Sequence, residues 1–135
     1  MQAVTIHDMR ASDSGGQFLA VDLIDLLRTI EPLVTGSKWQ ASDIWCITRG
    51  DTEDSVFEDR LDWPQLIAFA EECYQVIDGK FCAFRQDSES LWLAIVAEDS
   101  TYFVVLSDDN EVIQAVRERF NDVRDSDSWS ANFVV

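Results

Sequence analysis

The chain has 135 residues, the size of one domain, and 47% of them are hydrophobic, so it is long enough and apolar enough to bury a core. It carries 26 acidic and 10 basic residues, for a net charge of −16 at neutral pH. Nucleic acid and anionic membranes are poor partners for such a chain, because binding to phosphate depends on lysine and arginine. A basic protein is the partner that this charge favours.

The acidic residues are concentrated in the later part of the chain. Residues 1–50 hold six acids and four bases, whereas residues 51–135 hold 20 acids and six bases. Residues 87–111 contain seven acids and no base. This distribution has two explanations. It either keeps the protein hydrated, as a solubility or salt adaptation, or forms an acidic patch that binds a partner.

The three cysteines, Cys46, Cys73 and Cys82, predict neither a disulfide framework nor a metal site. They form no CxxC pair, and His7 is the only histidine that could complete a zinc ligand set. Each lies in an apolar run, as free buried thiols do in a reducing compartment. Residues 1–10 lack a signal-peptide pattern, and no apolar run is long enough to span a bilayer. We therefore expect a cytoplasmic protein.

In chain order, the first predicted element is a short edge strand at residues 3–6. A loop follows at residues 11–16, whose Gly, Ser and Asp content is typical of turns. Residues 17–34 have leucine and isoleucine at steps of three and four residues, which predicts an amphipathic helix. Pro32 should end or kink this helix, and Gly36 should stop it.

A strand is predicted at residues 43–48, where aromatic and β-branched residues cluster. The acidic segment 51–62 is predicted to be a surface loop anchored by Phe57.

The helix predicted at residues 62–79 has the clearest start signal. Asp62 and Gln65 stand in capping-box positions, and Pro64 lies in the first turn, where its missing N–H costs little. Gly79 stands where a helix commonly ends.

Three strands should follow, at residues 80–85, 91–97 and 101–106, joined by linkers of hairpin length. Adjacent antiparallel pairing, a meander, is the simplest topology for them. The last two strands do not alternate apolar with polar residues, as a strand with one hydrated face would. Both faces of this hairpin must therefore be covered.

A third helix should begin at Asp108, which is spaced to form a capping box with Glu111. The remaining residues read as a polar linker with an apolar tail. Trp129 and Phe133 in that tail are the side chains that we expect to remain exposed if the sheet is incompletely covered. The sequence thus predicts one α+β domain over residues 1–135, with segments 1–16 and 121–135 loosely ordered.

The predicted architecture is an antiparallel sheet of four to five strands, packed by about three helices. No catalytic constellation, metal site or cofactor site stands out. His7 and Asp8 are neighbours on or near the predicted edge strand, and neighbours in a strand point to opposite faces, so their side chains should not pair. The segment from Asp51 resembles a calcium-binding loop, but it lacks the glycine required at the sixth position. We therefore expect a binding protein rather than an enzyme.

The function that we expect is a small acidic module that binds a basic partner. Small acidic bacterial immunity proteins, which neutralise basic nuclease toxins, are similar in size and composition but share no motif with this chain. The expected binding patch consists of Asp51, Glu53, Asp54, Asp87, Glu89, Glu98, Asp99, Asp108, Asp109 and Glu111. The clusters at 87–89 and 108–111 should lie at the same end of the predicted hairpin. The simpler explanation is that all these clusters are helix caps and hydrated turns.

Two alternatives belong to other classes. A self-associating accessory protein would form a homodimer through an exposed sheet face or the C-terminal tail. A small ligand-binding domain or enzyme would have a pocket between the sheet and the helices, with a polar side chain of the meander pointing into it. Arg85 and Thr101 are the candidates for that side chain.

Overall fold

One large antiparallel sheet organises the structure, a computed structural model that describes residues 1–34, 36–48, 53–55 and 59–133. The strands found there are β1 (Gln2–Ile6), β2 (Met9–Ala11), β3 (Gln17–Leu19), β4 (Lys38–Thr48), β5 (Glu53–Ser55), β6 (Asp59–Leu61), β7 (Cys73–Phe84), β8 (Leu91–Glu98), β9 (Tyr102–Ser107) and β10 (Val123–Asp125). The helices are α1 (Leu23–Val34), α2 (Trp63–Glu72), α3 (Asn110–Arg119) and α4 (Asp127–Asn132).

The strand order of the large sheet is β10-β1-β9-β8-β7-β4-β5, and β6 also pairs with β4. Strands β2 and β3 form a separate hairpin. The predicted α+β class and the meander of β7, β8 and β9 are confirmed, because each of these strands pairs antiparallel with the next. Over the described residues the large sheet has eight strands, more than the four to five predicted.

Several strands differ from their predicted positions. β1 is an interior strand between β9 and β10, not an edge strand. β4 begins at Lys38, five residues before the predicted start, and is bulged around Asp43, whose φ is 54°. The predicted loop at 51–62 contains β5 and β6, both paired with β4. Phe57, its predicted anchor, lies outside the described residues.

The helix predicted at residues 17–34 is shorter than expected. α1 begins at Leu23, because residues 17–19 pair with β2 as strand β3. Pro32 does not end the helix, which continues to Val34, whose side chain is buried. The N–H groups of Gly36 and Ser37 then donate to the carbonyl of Val34 and turn the chain toward β4.

The start of α2 is confirmed, but its predicted end at Gly79 is wrong. Asp62 and Gln65 form the reciprocal capping box. The helix stops at Glu72, and β7 begins at the next residue. The apolar residues after position 72 fit helical spacing, yet Val76 and Ile77 are β-branched and suit a strand that pairs with β4. Gly79 is therefore an interior strand residue.

The N-terminal end of α3 is shifted by one residue from the prediction. Asp109, not Asp108, is the cap: its carboxylate accepts the N–H of Glu111 at 2.9 Å. The backbone N–H of Asp108 instead donates to the carbonyl of Trp92, so this residue is still part of the sheet end. The predicted apolar stripe of α3 is confirmed, with Val112, Ile113 and Val116 buried.

The chain itself covers both faces of the hairpin β8–β9 in different ways. The first sheet face packs against α1, α2 and α3 and forms the larger core, which includes Leu26, Ile95 and Phe103. The second face carries a smaller cluster, formed by Ala3, Cys82, Ala94, Val96, Val104 and Leu106.

Residues 121–133 supply the cover of the second face. The predicted polar linker contains β10, which pairs with β1, and α4, whose Trp129 packs on the smaller cluster together with Phe133. Both side chains are half-buried against their own sheet, so the condition under which they were expected to remain exposed is not met.

Candidate functional site

Five of the ten predicted patch residues lie at one end of the sheet, where β8 begins and β9 ends. We call these residues the acidic rim: Asp87, Glu89, Asp108, Asp109 and Glu111. Asp87 and Asp109 line a shared cavity of about 330 Å³ together with Arg85 and Trp92. The sequence-based expectation that clusters 87–89 and 108–111 lie at the same end of the hairpin is confirmed by this placement.

The backbone beneath the acidic rim is held by a buried hydroxyl. Ser107 is 1% exposed, and its Oγ donates to the carbonyl of Trp92 at 3.0 Å. The same oxygen accepts the N–H of Asp109 at 3.0 Å. The start of α3 is thereby fixed to the first residues of β8, so these carboxylates project from a firmly bonded framework.

Within the described part of the chain, two weak ion pairs oppose the charge of the acidic rim. The N-terminal ammonium lies 3.8 Å from a carboxylate oxygen of Asp108, and Lys38 Nζ lies 3.9 Å from a carboxylate oxygen of Glu89. The side chain of Asp108 is 54% exposed and that of Glu89 is 81% exposed. Because exposed pairs at such distances contribute little, the rim keeps most of its negative charge.

Glu98 and Asp99 lie at the opposite end of the hairpin, near a third carboxylate, that of Asp78. The N–H of Asp99 donates to Asp78 Oδ1 at 2.9 Å. Burial, together with the charges of Asp78 and Asp99, raises the pKa of Glu98 above its usual value. Asp99 and Ser100 both have positive φ, as the two central residues of a type I′ hairpin turn do. The predicted acidic patch is therefore split between two ends of the sheet.

The remaining patch residues belong to the segment after β4. Glu53 and Asp54 lie in β5, where they pair with Ile47 and Cys46 of β4. Asp51 lies outside the described residues.

His7 and Asp8 do not pair, as the sequence predicted. His7 Nε2 lies 2.8 Å from the hydroxyl of Thr5, and the imidazole stacks on Tyr102. Burial and the charge of Arg124 lower the pKa of His7, an effect that Asp122 opposes. Asp8 has a structural role: its carboxylate accepts the backbone N–H groups of residues 121 and 122 and ties the end of β1 to the segment after α3.

The cysteines are free and buried, but two of them meet in the fold. Cys46 and Cys73 face the first core from adjacent strands, and burial together with Cys46 raises the pKa of Cys73. Burial raises the pKa of Cys82, on the second face, to about 11. Neutral thiols of this kind are poor nucleophiles and poor metal ligands. No sequence pattern indicates this contact, because it depends on the pairing of β4 with β7.

A cavity at the edge of the sheet was not predicted. This edge cavity, of about 460 Å³, lies where β4 begins and β6 and β7 end. It is lined by Ser37, Lys38, Trp39, Gln40, Arg60, Leu61, Asp62, Phe84, Gln86 and Glu89. The indole Nε1 of Trp39 is buried and has no hydrogen-bond partner. The sequence could not indicate this cavity, because its two cationic residues come from strands that are far apart along the chain.

One of the two polar residues proposed to point into a pocket between sheet and helices, Arg85, lines the cavity that Asp87 and Asp109 share with Leu33 and Val34 of α1. The exposed guanidinium of Arg85 lies over the ring of Trp92, 5.1 Å from its centroid. Thr101 donates its hydroxyl to the carbonyl of Glu98 within the hairpin turn.

Over the part of the chain that the structure describes, no three His, Cys, Asp or Glu side chains are arranged to hold a metal ion. No helix in that part is long and apolar enough to cross a membrane.

Comparison of the chain with protein-family models, with curated proteins and with solved structures gave no match.

Proposed function

We propose that this protein is a small acidic interaction module that binds a basic protein through the acidic rim. The observation that carries this proposal is the convergence of five carboxylates at one end of the sheet, contributed by the β7–β8 loop and by the start of α3. Among the described residues two ion pairs oppose these charges, both at about 3.8–3.9 Å and both with an exposed carboxylate. A concentrated negative surface of this kind accelerates association with a basic partner and suppresses binding of acidic ones.

The rim also suits tight binding because its backbone is already ordered. Ser107 bonds both to β8 and to the residue that caps α3. Side chains presented on a fixed framework lose less conformational freedom when a partner binds, so more of the interaction energy appears as affinity.

The form of this function that we propose is an inhibitor or immunity-type protein acting in the cytoplasm. Enzymes that act on nucleic acid present basic surfaces to phosphate groups. A rigid array of carboxylates would compete for the same lysine and arginine side chains. The size and net charge of the chain support this form.

The alternative of a homodimer through the C-terminal tail has less support. That alternative needs apolar tail residues that remain exposed. Trp129 and Phe133 instead pack on their own sheet.

The test is a capture experiment with a matched pair of charge-reversal variants. The rim variant carries Asp87→Lys and Glu111→Lys. The control variant carries Asp13→Lys and Glu118→Lys, at exposed positions away from the rim. Each pair of changes raises the net charge by four. The tagged proteins are incubated with lysate of the source cells, washed at about 0.05 M and about 0.5 M salt, and the retained proteins are identified by mass spectrometry.

We expect the wild-type and control proteins to retain the same basic protein at low salt and to release it at high salt. The rim variant should lose it, because reversal of two contacting charges removes attraction and adds repulsion. Equal retention by both variants would show that net charge, and not the rim, drives binding. Retention of no basic protein by the wild type would contradict the proposal itself.

A further inference from the structure

The edge cavity differs in charge from the rest of this acidic molecule. Lys38 and Arg60, two of the 10 basic residues, line it, and Lys80 extends from the same sheet face one strand away. Both lysines of the chain thus lie on the second face, and Nζ of Lys80 is 5.5 Å from the centroid of the Phe133 ring, the residue after α4. The acids that line this cavity are Asp62 and Glu89.

The strand pairing brings Lys38 and Arg60 to one side of the sheet. Arg60 stands opposite Gln40 in the pairing of β6 with β4. Lys38 precedes Gln40 by two residues, so its side chain emerges on the same face. Lys38 and Arg60 are therefore diagonal neighbours on antiparallel strands, with Cα atoms about 7–8 Å apart. Two long cationic side chains at this spacing can contact one anionic group between them.

The cavity lining holds two acids, Asp62 and Glu89, beside its two cations. The carboxylate of Asp62 is engaged in capping α2, because its Oδ1 accepts the N–H of Gln65 at 2.9 Å. Glu89 reaches Lys38 at 3.9 Å from an exposed loop. A pair of that length and exposure is weak, so an incoming anion can displace it.

The cavity also offers an apolar surface beside the cations. Phe84 pairs with Lys38 across β4 and β7, and Leu61 pairs with Trp39 across β4 and β6. Glutamine amides and a serine hydroxyl supply further hydrogen-bonding groups. A volume of about 460 Å³ is in the range that holds a small organic molecule.

We propose that the edge cavity binds a small organic anion, an apolar or aromatic body that carries one phosphate or carboxylate group. Lys38 and Arg60 contact the anionic group, and the apolar body lies against Phe84, which is on the same sheet face. Glu89 occupies Lys38 in the absence of ligand and competes with the anion. This site is separate from the proposed partner contact, although Glu89 belongs to both surfaces.

The experiment is an NMR titration of the ¹⁵N-labelled full chain with phenyl phosphate, with inorganic phosphate as the comparison. Backbone amides of residues 38–40 and 60–62 and the indole N–H of Trp39 report on the cavity. The variants are Lys38→Gln combined with Arg60→Gln, the competitor variant Glu89→Gln, and the control Lys80→Gln, which removes one positive charge from the same sheet face outside the cavity lining.

We expect phenyl phosphate to shift these signals saturably and to bind more tightly than inorganic phosphate. The double variant should bind at least about tenfold more weakly, because charge-assisted contacts are lost. Glu89→Gln should bind several-fold more tightly, and Lys80→Gln should bind as the wild type does. The rim variant Asp87→Lys with Glu111→Lys, in which the cavity lining is intact, should also bind phenyl phosphate, so the two proposals can fail separately.

Three results would overturn the inference. One is the absence of saturable shifts at these amides up to about 10 mM phenyl phosphate. The second is an equal loss of affinity in Lys80→Gln and in the double variant, which would indicate general electrostatics. The third is equal affinity for inorganic phosphate and phenyl phosphate, which would remove the role of the apolar surface.

Discussion

The two faces of the main sheet are built from the same strands but are stabilised differently. The first face carries large buried side chains such as Trp39, Phe81 and Phe103, under three amphipathic helices. The second face carries smaller residues such as Ala94 and Val104, under one six-residue helix and the residue that follows it. Strands that are apolar on both faces therefore do not need equally thick cover on both.

The groups whose ionisation or ligand contacts can change lie mainly on the second face. His7 and Glu98, whose pKa values are shifted in part by burial, belong to strands or strand ends on the thinly covered face. Lys38 and Arg60 lie on the part of that face beyond α4. We expect the first face to determine the free energy of unfolding and the second face to carry the groups that respond to pH and ligands.

A matched pair of leucine substitutions is the strongest test of this comparison. Leu26 of α1 and Leu106 of β9 are both 0% exposed, the former in the first core and the latter in the second cluster. Both Leu→Ala changes should lower the free energy of unfolding within the range of about 2–5 kcal/mol. Leu26→Ala should lower the free energy of unfolding more. The closely packed first core cannot move to fill the space left by the deleted side chain, whereas α4 can move toward the second cluster. Urea denaturation measures both, and a larger cost for Leu106→Ala would contradict the comparison.

The cover itself can be removed by substitution in α4. Trp129 is half-buried against the second cluster, so Trp129→Ala should lower the free energy of unfolding by about 1–2 kcal/mol, less than either leucine change. The circular dichroism of the folded protein should remain close to that of the wild type. Loss of the folded state would show that packing on the second face is essential for folding. An unchanged free energy of unfolding would show that Trp129 of α4 does not contribute to stability.

The sequence predicted the part of the fold that depends on local signals. The meander was found because its strands are apolar and its linkers short, and the start of α2 was found because Asp62 and Gln65 form a local capping pair. The end of α2 was missed because no turn residue separates it from β7. Strand pairing, which the sequence does not display, made residues 73–79 extended.

The short strands and parts of the candidate sites were not predicted, because they form through contacts between residues that are far apart along the chain. β5, β6 and β10 have three residues each, too few for a periodic pattern. The acidic rim was predicted in part, because its clusters flank one hairpin. The edge cavity was not, because Lys38 and Arg60 become neighbours only when β6 pairs with β4.

Gly79 tests how tightly the first face is packed. A Cβ atom at this position would lie 2.9 Å from Cδ1 of Ile44 and 3.1 Å from a ring carbon of Phe81. Gly79→Ala should lower the free energy of unfolding by about 1 kcal/mol through overpacking. Ile44→Val removes the closest methyl group, so the double variant should lose less than the sum of the two single changes. Strict additivity in a double-mutant cycle would contradict the packing explanation.

Glu98 gives the smallest effect and tests the pH response of the second face. Its pKa is raised, so above that folded pKa the ionised side chain destabilises the native state relative to the unfolded chain. Glu98→Gln should raise the free energy of unfolding at pH 7 by a few tenths of a kcal/mol. The gain should vanish below the unfolded pKa of about 4.5, where both states are protonated. A gain that persists at pH 3.5 would exclude an electrostatic cause.

The interior position of β1 has a consequence for the order of assembly. Its partners, residues 103–107 and 123–125, lie about 100 positions later along the chain. Closing a loop of that length costs about 4 kcal/mol of entropy, whereas the meander closes through linkers of a few residues. During synthesis β1 therefore cannot pair until nearly the whole chain has been made. The sheet is expected to form first at β7–β9 and to extend outward from there. Pulse-labelled hydrogen exchange should show β8 protected before β1, and the reverse order would refute this sequence of events.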